Sequence, residues 1–281
     1  LYTGSSDMGM GANTILTQMA CEALGCPMES MTVVESDTDI VPFDPGSYAS
    51  STTYVTGTAA KMAAEELREK IINKLAQFMD VKPEDIDFDG LVGTTKDGTK
   101  KMSVQELAPK LLVGTTPEQL TGFATWGSHT SPPPFMASIA EVKVDKQTGQ
   151  IIPLHMYTCV DCGTVVNPKL ARVQVEGGAV QAIGMALYED VRYSSNGRLE
   201  TNNFMTYKIP TRQDIGELHT AFVESYEPTG AFGVKSIGEI VINTACPAIQ
   251  HAVKNAVGAD IRTLPMTPEK VFMGMDEKYK V

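Results

Sequence analysis

Long apolar runs and aromatic residues are scarce in this sequence. Its 281 residues include a single Trp and 7% aromatic residues in all, and no stretch approaches the roughly 18 consecutive apolar residues that a membrane span requires. We therefore expect no membrane partner. The hydrophobic fraction of 42% is ordinary for a globular protein, and the length suits one large domain or two smaller ones.

Positively charged residues are also few compared with negatively charged ones. The chain has 23 Lys and Arg residues against 34 Asp and Glu residues, which gives a formal net charge of −11. No run rich in Lys or Arg compensates for this excess, so the surface would repel a phosphate backbone. The sequence therefore predicts that nucleic acids are not partners of this protein.

Cysteines are few and odd in number. The chain contains five of them, which argues against a disulfide framework and for a reducing, cytoplasmic location. Cys159 and Cys162 have the spacing of a metal-binding pair, but a structural zinc site needs about four ligands and no His lies near either candidate pair. A second pair, Cys21 and Cys26, leaves that option open, although buried free thiols are the favoured interpretation.

Several well-known catalytic motifs are missing. No Gly-x4-Gly-Lys-Ser/Thr loop is present, and no Gly-x-Gly-x-x-Gly motif opens a helix. A Gly-x-Ser-x-Gly nucleophile motif is also absent, which makes a serine hydrolase a weak hypothesis. The four histidines are scattered along the sequence, so we expect them to be structural residues: His129, His155, His219 and His251.

Hydrophobic periodicity predicts a mixed chain of helices and strands. Apolar residues recur at helical spacing over residues 13–24, 52–79, 104–111, 173–189 and 247–257. Strand patterns cover residues 31–35, 86–88, 91–92, 135–144 and 151–160. This order favours an α+β fold with helices on one side of small sheets, in two-layer βαβ-type units. Residues 1–122 and 123–281 are two candidate pseudo-repeated lobes, although no sequence repeat proves a duplication.

Three Gly/Ser/Thr-rich junctions precede predicted helices. They lie at residues 9–11, 46–53 and 163–178, and the last includes Gln174. A helix N-terminus offers unpaired N–H groups and positive potential, which suits an anion such as phosphate. The alternative is structural, because Ser, Thr and Gly are also common helix caps and turn residues.

A carboxylate occupies an unusual context near the C-terminal end of the chain. Glu239 stands between Gly238 and the apolar run Ile240-Val-Ile242. A partly dehydrated pocket would raise the proton affinity of this carboxylate towards the working range of a general base. The alternative is an ion pair with Lys235, four residues earlier, and spacing alone favours neither.

The segment Gly233-Val-Lys-Ser-Ile-Gly-Glu239 resembles the Gly-x-Lys-Gly-x-Gly-Glu segment of the molybdenum hydroxylases of the xanthine dehydrogenase/aldehyde oxidase family. Residues 2–25 resemble that family's Gly-x-x-Glu-x-Gly-Gln-Gly segment, which is followed by a helix that ends in Leu-Gly. Further stretches follow the family in the same order along essentially the whole chain, at residues 37–53, 141–149, 161–168, 174–184 and 203–211.

This resemblance implies the C-terminal, molybdopterin-binding part of the molybdenum subunit, with Glu239 as the catalytic base beside the metal. Gly9, Met10 and Gly11 would line the phosphate end of the cofactor. Gln174 would form a hydrogen bond with the cofactor. The pterin and the metal side would be contacted by Ala49, Ser50, Ser51 and Thr52.

Two positions depart from the family pattern. Met10 stands where relatives usually carry Gln, and a thioether cannot donate the hydrogen bond of an amide. Ser51 stands where many relatives carry Arg. A side-chain contact from Met10 to phosphate and a charged contact near Ser51 are therefore in doubt.

The resemblance also implies cofactors and partners. Molybdenum would be held through the dithiolene of molybdopterin, or of its cytosine dinucleotide form, so no side chain of this chain is expected to ligate it. The 2Fe-2S centres and FAD would lie on partner domains or subunits, and the N-terminal half of the molybdenum subunit would complete the site. The chain is then a fragment, or one piece of a split subunit as in nicotinate dehydrogenase.

The implied reaction is hydroxylation of an electron-poor carbon in an N-heterocycle or aldehyde, with oxygen derived from water. The alternative hypothesis is that the chain alone is a cofactor-free scaffold or assembly partner, without activity. The sequence does not identify the substrate.

Overall fold

The structure, a computed structural model, describes residues 1–113 and 116–280. Its α-helices are α1 (Ala12–Leu24), α2 (Gly57–Met79), α3 (Val104–Leu112), α4 (Pro168–Leu187), α5 (Ala245–Val257) and α6 (Pro268–Gly274). Its strands are β1 (Tyr2–Thr3), β2 (Val34–Glu35), β3 (Ile86–Phe88), β4 (Val92–Thr95), β5 (Lys101–Ser103), β6 (Phe135–Val144), β7 (Ile151–Asp161) and β8 (Glu217–Phe222). The mixed helix and strand content with small sheets confirms the predicted α+β class.

The chain divides into two compact units. The first contains residues 1–132 and 226–236, and the second contains residues 133–225 and 237–281. Each unit is therefore built from two separate stretches of the sequence. The internal duplication of lobes 1–122 and 123–281 stays a prediction.

The first unit is organised around the pair of helices α1 and α2. Met19 of α1 packs closely on Gly57 at the start of α2, where a Cβ atom would lie 2.7 Å from the Met19 sulfur. The C-terminal half of α2 packs on the antiparallel sheet β3–β4–β5 and on α3. The core between them is made of Leu75, Ala76, Met79, Ile86, Phe88 and Leu107.

Arg68 of α2 fixes two neighbouring segments of this unit. Its guanidinium donates hydrogen bonds to the carbonyl oxygens of Leu24 and Phe88, each at 2.5 Å, and lies over the Phe88 ring. Because the last carbonyl groups of a helix lack intrahelical partners, the bond to Leu24 satisfies the end of α1. At the start of α3, Ser103 and Glu106 form a capping box.

The second unit is built on the sheet β6–β7–β8. Strands β6 and β7 form an antiparallel hairpin, and β8 pairs with β7 in parallel. The hairpin turn is stabilised by Asp145, whose carboxylate accepts hydrogen bonds from the N–H groups of Gln147 and Thr148. Helices α4 and α5 pack on the sheet, and their apolar faces supply most of the core: Ala179, Ala182, Ile183, Ala186, Ile249, Val253 and Val257.

The structure corrects several predicted boundaries. The strand predicted at 31–35 is limited to Val34–Glu35, and a 3-10 turn, Met28–Ser30, precedes it. The helix predicted at 173–189 begins earlier, at Pro168, because the Asn167 side chain accepts a hydrogen bond from the N–H of Leu170 and caps it. Strand β8 and helix α6 were not predicted.

Two further expectations concern membrane-spanning helices and the cysteine thiols. In the described residues, no helix combines the length and apolar character that crossing a membrane demands. None of the five cysteines, all of which are among the described residues, forms a disulfide; Cys21 and Cys162 are buried as predicted, and the other three are half-buried. Burial and the neighbouring Cys26 thiol raise the pKa of Cys21 to about 12, so its reactive thiolate is disfavoured.

Candidate functional site

The glycine loop before α1 is closed by a carboxylate. Gly9 and Gly11 have φ values of 99° and 82°, which glycine adopts without a steric penalty. Asp7 Oδ1 accepts hydrogen bonds from the N–H groups of Gly9 and Gly11, at 2.9 Å and 3.1 Å, and Asp7 Oδ2 accepts one from Asn13. The positive end of α1 therefore already has an anionic partner within the chain.

The ionisation of Asp7 follows from these contacts. Burial acts to raise its pKa, but the backbone hydrogen bonds from Gly9, Gly11, Asn13 and Met10 outweigh burial and hold the pKa below its usual value. The Met10 sulfur accepts a hydrogen bond from the Met8 N–H, so this side chain is turned back into the loop. Contacts of Gly9, Met10 and Gly11 with a phosphate stay a prediction, and such contacts would compete with Asp7.

Two buried polar atoms in the same region suit a bound group. Among the described residues, the side-chain oxygens Ser5 Oγ and Asn13 Oδ1 are buried without a hydrogen-bond partner. Leaving a buried polar atom unpaired costs about 1–3 kcal/mol. Apart from Gly9 and its two chain neighbours, no heavy atom of the described residues lies within 4 Å of the position where a Cβ would stand on Gly9. Open space and unsatisfied oxygens are therefore both present here, as a polar cofactor would require.

The second predicted loop is strained. Ala49 and Ser50 have φ values of 51° and 55°, in the left-handed region that residues other than glycine rarely adopt. Each such residue costs on the order of 1–3 kcal/mol, and this strain is typical of ligand-binding loops. Ala49 is exposed, Ser50 and Ser51 are half-buried, and Thr52 is buried.

The predicted helix at 52–79 begins with a π turn, Thr52–Thr56, and becomes regular α-helix at Gly57. Single π turns inside helices are frequent at functional sites. The first N–H groups of a helix have no intrahelical acceptor, so they can donate to a ligand. The structure therefore places Ala49 to Thr52 consecutively at a helix N-terminus.

Tyr54 anchors this π turn, and sequence reasoning missed it. Its side chain is buried, its ring packs edge-on against Trp126, and its hydroxyl lies 2.6 Å from that of Thr229. Longer contacts join the hydroxyl to Ser128 and Thr130, at 3.4 Å each. Nearby, Thr58 Oγ1 accepts a hydrogen bond from the Ala231 N–H. These contacts fasten residues 226–236 to the strained helix start.

The other two predicted residues lie in the second unit. Gln174 is half-buried on α4, and Glu239 is exposed at the start of a 3-10 turn, Ile240–Ile242. Helix α4 packs on this turn, since a Cβ at Gly178 would lie 2.2 Å from Cγ2 of Val241. The buried Val241 side chain thus fixes the turn that carries Glu239.

The predicted site residues are therefore divided between the units. Gly9, Met10, Gly11, Ala49, Ser50, Ser51 and Thr52 lie in the first unit, where α1 contacts the π turn. Gln174 and Glu239 lie in the second unit, on elements that pack on each other. The exposure of Glu239 means that the described residues alone do not supply the dehydrated pocket expected from sequence.

Comparison with known proteins identifies the family to which the chain belongs. The molybdopterin cofactor-binding domain family matches residues 1–216. A protein of Escherichia coli K12 named probable hypoxanthine oxidase is 37% identical over 281 residues, covering 99% of this chain and 29% of its own length. The xanthine dehydrogenase molybdenum-binding subunit of Escherichia coli O157:H7 is 35% identical, covering 97% of this chain and 37% of its own length.

A solved structure agrees with this fold. Quinoline 2-oxidoreductase from Pseudomonas putida 86 superposes with a TM-score of 0.87 at 26% sequence identity, over 97% of this chain and 36% of its own chain. The chain thus spans about a third of the length of the relatives it matches.

Proposed function

Because the chain belongs to the molybdopterin cofactor-binding domain family of xanthine dehydrogenase-like hydroxylases, we propose that it forms part of the cofactor pocket of a molybdenum hydroxylase with Glu239 as general base. The complete enzyme hydroxylates an electron-poor carbon with oxygen from water. When bound, the molybdenum centre supplies the oxygen-transfer and two-electron chemistry.

The observation that carries this proposal is the strained loop at Ala49 and Ser50, followed at once by the π turn. Backbone strain of this kind persists only where the surroundings enforce it, and the hydrogen bond between Tyr54 and Thr229 holds the π turn that follows the loop. The loop is also the segment that resembles a cofactor loop of the family. We assign the pterin side of the cofactor to Ala49, Ser50, Ser51 and Thr52.

Glu239 accepts a proton from the oxygen nucleophile in this proposal. Its place at the start of a short turn, held by Val241 against α4, fixes its position while leaving the carboxylate accessible. Gln174 on α4 orients the cofactor through its amide. Gly9, Met10 and Gly11 lie at the phosphate end, where Ser5 and Asn13 contribute polar atoms.

The names of the relatives favour N-heterocycles as substrates over aldehydes. Hypoxanthine, xanthine and quinoline are all N-heterocycles with an electron-poor carbon beside a ring nitrogen. Since the chain covers about a third of these relatives, we propose that the rest of the molybdenum subunit encloses Glu239 and selects the substrate. Iron–sulfur and FAD partners then carry the electrons away, and the cofactor is molybdopterin or its cytosine dinucleotide form.

The test is Glu239→Gln in the complete enzyme. A general base contributes about 10²–10⁴-fold to the rate, so kcat is expected to fall by that factor while molybdenum content is unchanged. Glu224→Gln, at another exposed carboxylate of the same unit, is the matched control. Turnover by the Glu239 variant equal to that of the control would show that Glu239 is not the base.

A second candidate is a cofactor-free scaffold, and the contact of Asp7 with Gly9 and Gly11 favours it. The carboxylate occupies donors that a phosphate would use, so these N–H groups have an acceptor without one. Molybdenum analysis of the purified chain separates the candidates: near-stoichiometric metal excludes the scaffold, and its absence from the complete enzyme excludes the hydroxylase.

A further inference from the structure

A cluster of two histidines and a glutamate lies on strands β7 and β8 of the second unit, and it includes none of the residues assigned above. We propose that His155, Glu217 and His219 bind a divalent transition-metal ion such as zinc. Sequence reasoning treated the histidines as scattered structural residues. The structure corrects this for His155 and His219, which the parallel pairing of β7 with β8 brings together.

The strand register explains the juxtaposition. His155 of β7 pairs with Glu217 of β8. Two residues further along both strands, Tyr157 pairs with His219. Because residues two apart on a strand point to the same face, the three side chains share one face of the sheet. Their exposed fractions, 32% for His155, 67% for Glu217 and 42% for His219, leave the cluster open to an ion from solution.

The three candidate ligand atoms have the spacing of a coordination sphere. His155 Nδ1 lies 3.2 Å from His219 Nε2, and Glu217 Oε2 lies 3.5 Å and 3.7 Å from these two nitrogens. A point equidistant from the three atoms is about 2 Å from each, which is the usual length of zinc–nitrogen and zinc–oxygen bonds. The spacing of the three atoms therefore matches that of ligands around one ion.

The chemistry of the set selects the kind of ion. Imidazole suits zinc, copper and nickel, whereas magnesium and calcium prefer oxygen ligands throughout. Three protein ligands leave at least one position for water or for a ligand from another molecule. Unlike a group of carboxylates, this set does not repel itself when empty, because the two imidazoles can share a hydrogen bond.

Tyr157 holds the imidazole rings in place. Its ring stacks on His219, with centroids 4.5 Å apart and planes inclined by 12°, and on His155 at 5.8 Å and 29°. This packing limits rotation of both imidazoles, so less entropy is lost when an ion binds. A bound ion would link β8 to β7 directly and so stabilise the end of the sheet that follows the irregular residues 188–216.

The test uses the whole 281-residue chain, stripped of metal with a chelator and titrated with zinc chloride against a chromogenic zinc indicator. One zinc per chain is expected, with a rise in Tm on addition of zinc. Losing a residue that only orients a metal ligand weakens binding about 10- to 100-fold, so His155→Asn, His219→Asn and Glu217→Gln should each weaken it at least about tenfold.

The chain offers matched controls in its two remaining histidines, His129 and His251, both exposed. Their Asn variants should keep full affinity and the full shift in Tm. Far-UV circular dichroism verifies that each variant is folded, and Glu217→Gln preserves side-chain shape if a His variant does not fold. Zinc binding that is absent, or equally weakened by the control variants, would overturn the proposal.

Discussion

The hydroxyl of Tyr54 donates a hydrogen bond to that of Thr229, across 175 positions of the sequence. The direction follows from the next contact, because Thr229 Oγ1 donates its own hydrogen to Glu227 Oε1 at 2.6 Å. Hydrogen bonds from the hydroxyl and the backbone N–H of Thr229 hold the pKa of Glu227 below its usual value. The two successive hydrogen bonds, from Tyr54 to Thr229 and from Thr229 to Glu227, connect the π turn before α2 with residues 226–236.

Replacement of Tyr54 by Phe should destabilise the chain modestly. It removes the donor to Thr229 while keeping the packing on Trp126, and a net hydrogen bond is worth about 1 kcal/mol. Urea unfolding followed by Trp126 fluorescence measures the loss. Tyr2→Phe, at an exposed ring, should leave the free energy of unfolding unchanged, and an equal loss in both variants would contradict this account.

Adjacent glycines on α4 should respond in opposite ways to alanine. At Gly178 a Cβ would lie 2.2 Å from Val241 Cγ2 and 2.9 Å from the Val241 backbone, so Gly178→Ala should cost about 1–3 kcal/mol. At Gly177 a Cβ would have no atom of the described residues within 4 Å beyond its chain neighbours and the local helix backbone, so Gly177→Ala should be neutral or stabilising by up to about 1 kcal/mol.

This pair also tests the position of Glu239. If Val241 holds the turn against α4, Gly178→Ala should reduce the activity of the complete enzyme, whereas Gly177→Ala should retain it. Thermal unfolding and kcat measured on both variants provide the comparison. Similar stability of the two variants would show that α4 does not pack on the turn as described.

Asp7 should make stability depend on pH. Its pKa is lowered in the folded state, so the unfolded state binds more protons at acidic pH. The stabilisation is therefore present above the ordinary pKa of an Asp side chain, about 3.9, and is lost as pH falls through the lower folded value. Asp7→Asn should flatten this part of the profile.

The measurement is urea unfolding at a series of pH values between neutral and strongly acidic. The exposed Asp39 provides the control, since Asp39→Asn should leave the slope of the profile in place. A profile for Asp7→Asn that parallels the unsubstituted chain would mean that the Asp7 carboxylate does not cap the glycine loop.

Local patterns predicted the elements whose stabilising contacts are local. The apolar spacing over α1 and the Asp145 turn between β6 and β7 identified these segments nearly to the residue, because helix periodicity and hairpin turns are encoded within a few positions. The start of α4 was missed, although Asn167-Pro168 is a recognisable cap followed by a first-turn proline.

These local patterns could not predict features that depend on contacts between residues far apart in the sequence. Strand β8 has only six residues and follows a long irregular stretch, so its identity depends on pairing with β7. The cluster of His155 and His219 depends on the same register. The role of Tyr54 depends on residues that follow it by more than 70 positions, at Ser128, Thr130 and Thr229.

Each unit is built from two separate stretches of the sequence, and this affects when it can fold during synthesis. The first unit needs residues 226–236, which are translated only after residues 133–225, the larger part of the second unit. Until then Tyr54 has no Thr229 to donate to, and Thr58 has no Ala231 as its donor. The strained helix start can therefore be secured only late in synthesis, and a nascent chain stalled before residue 226 would expose it to proteases.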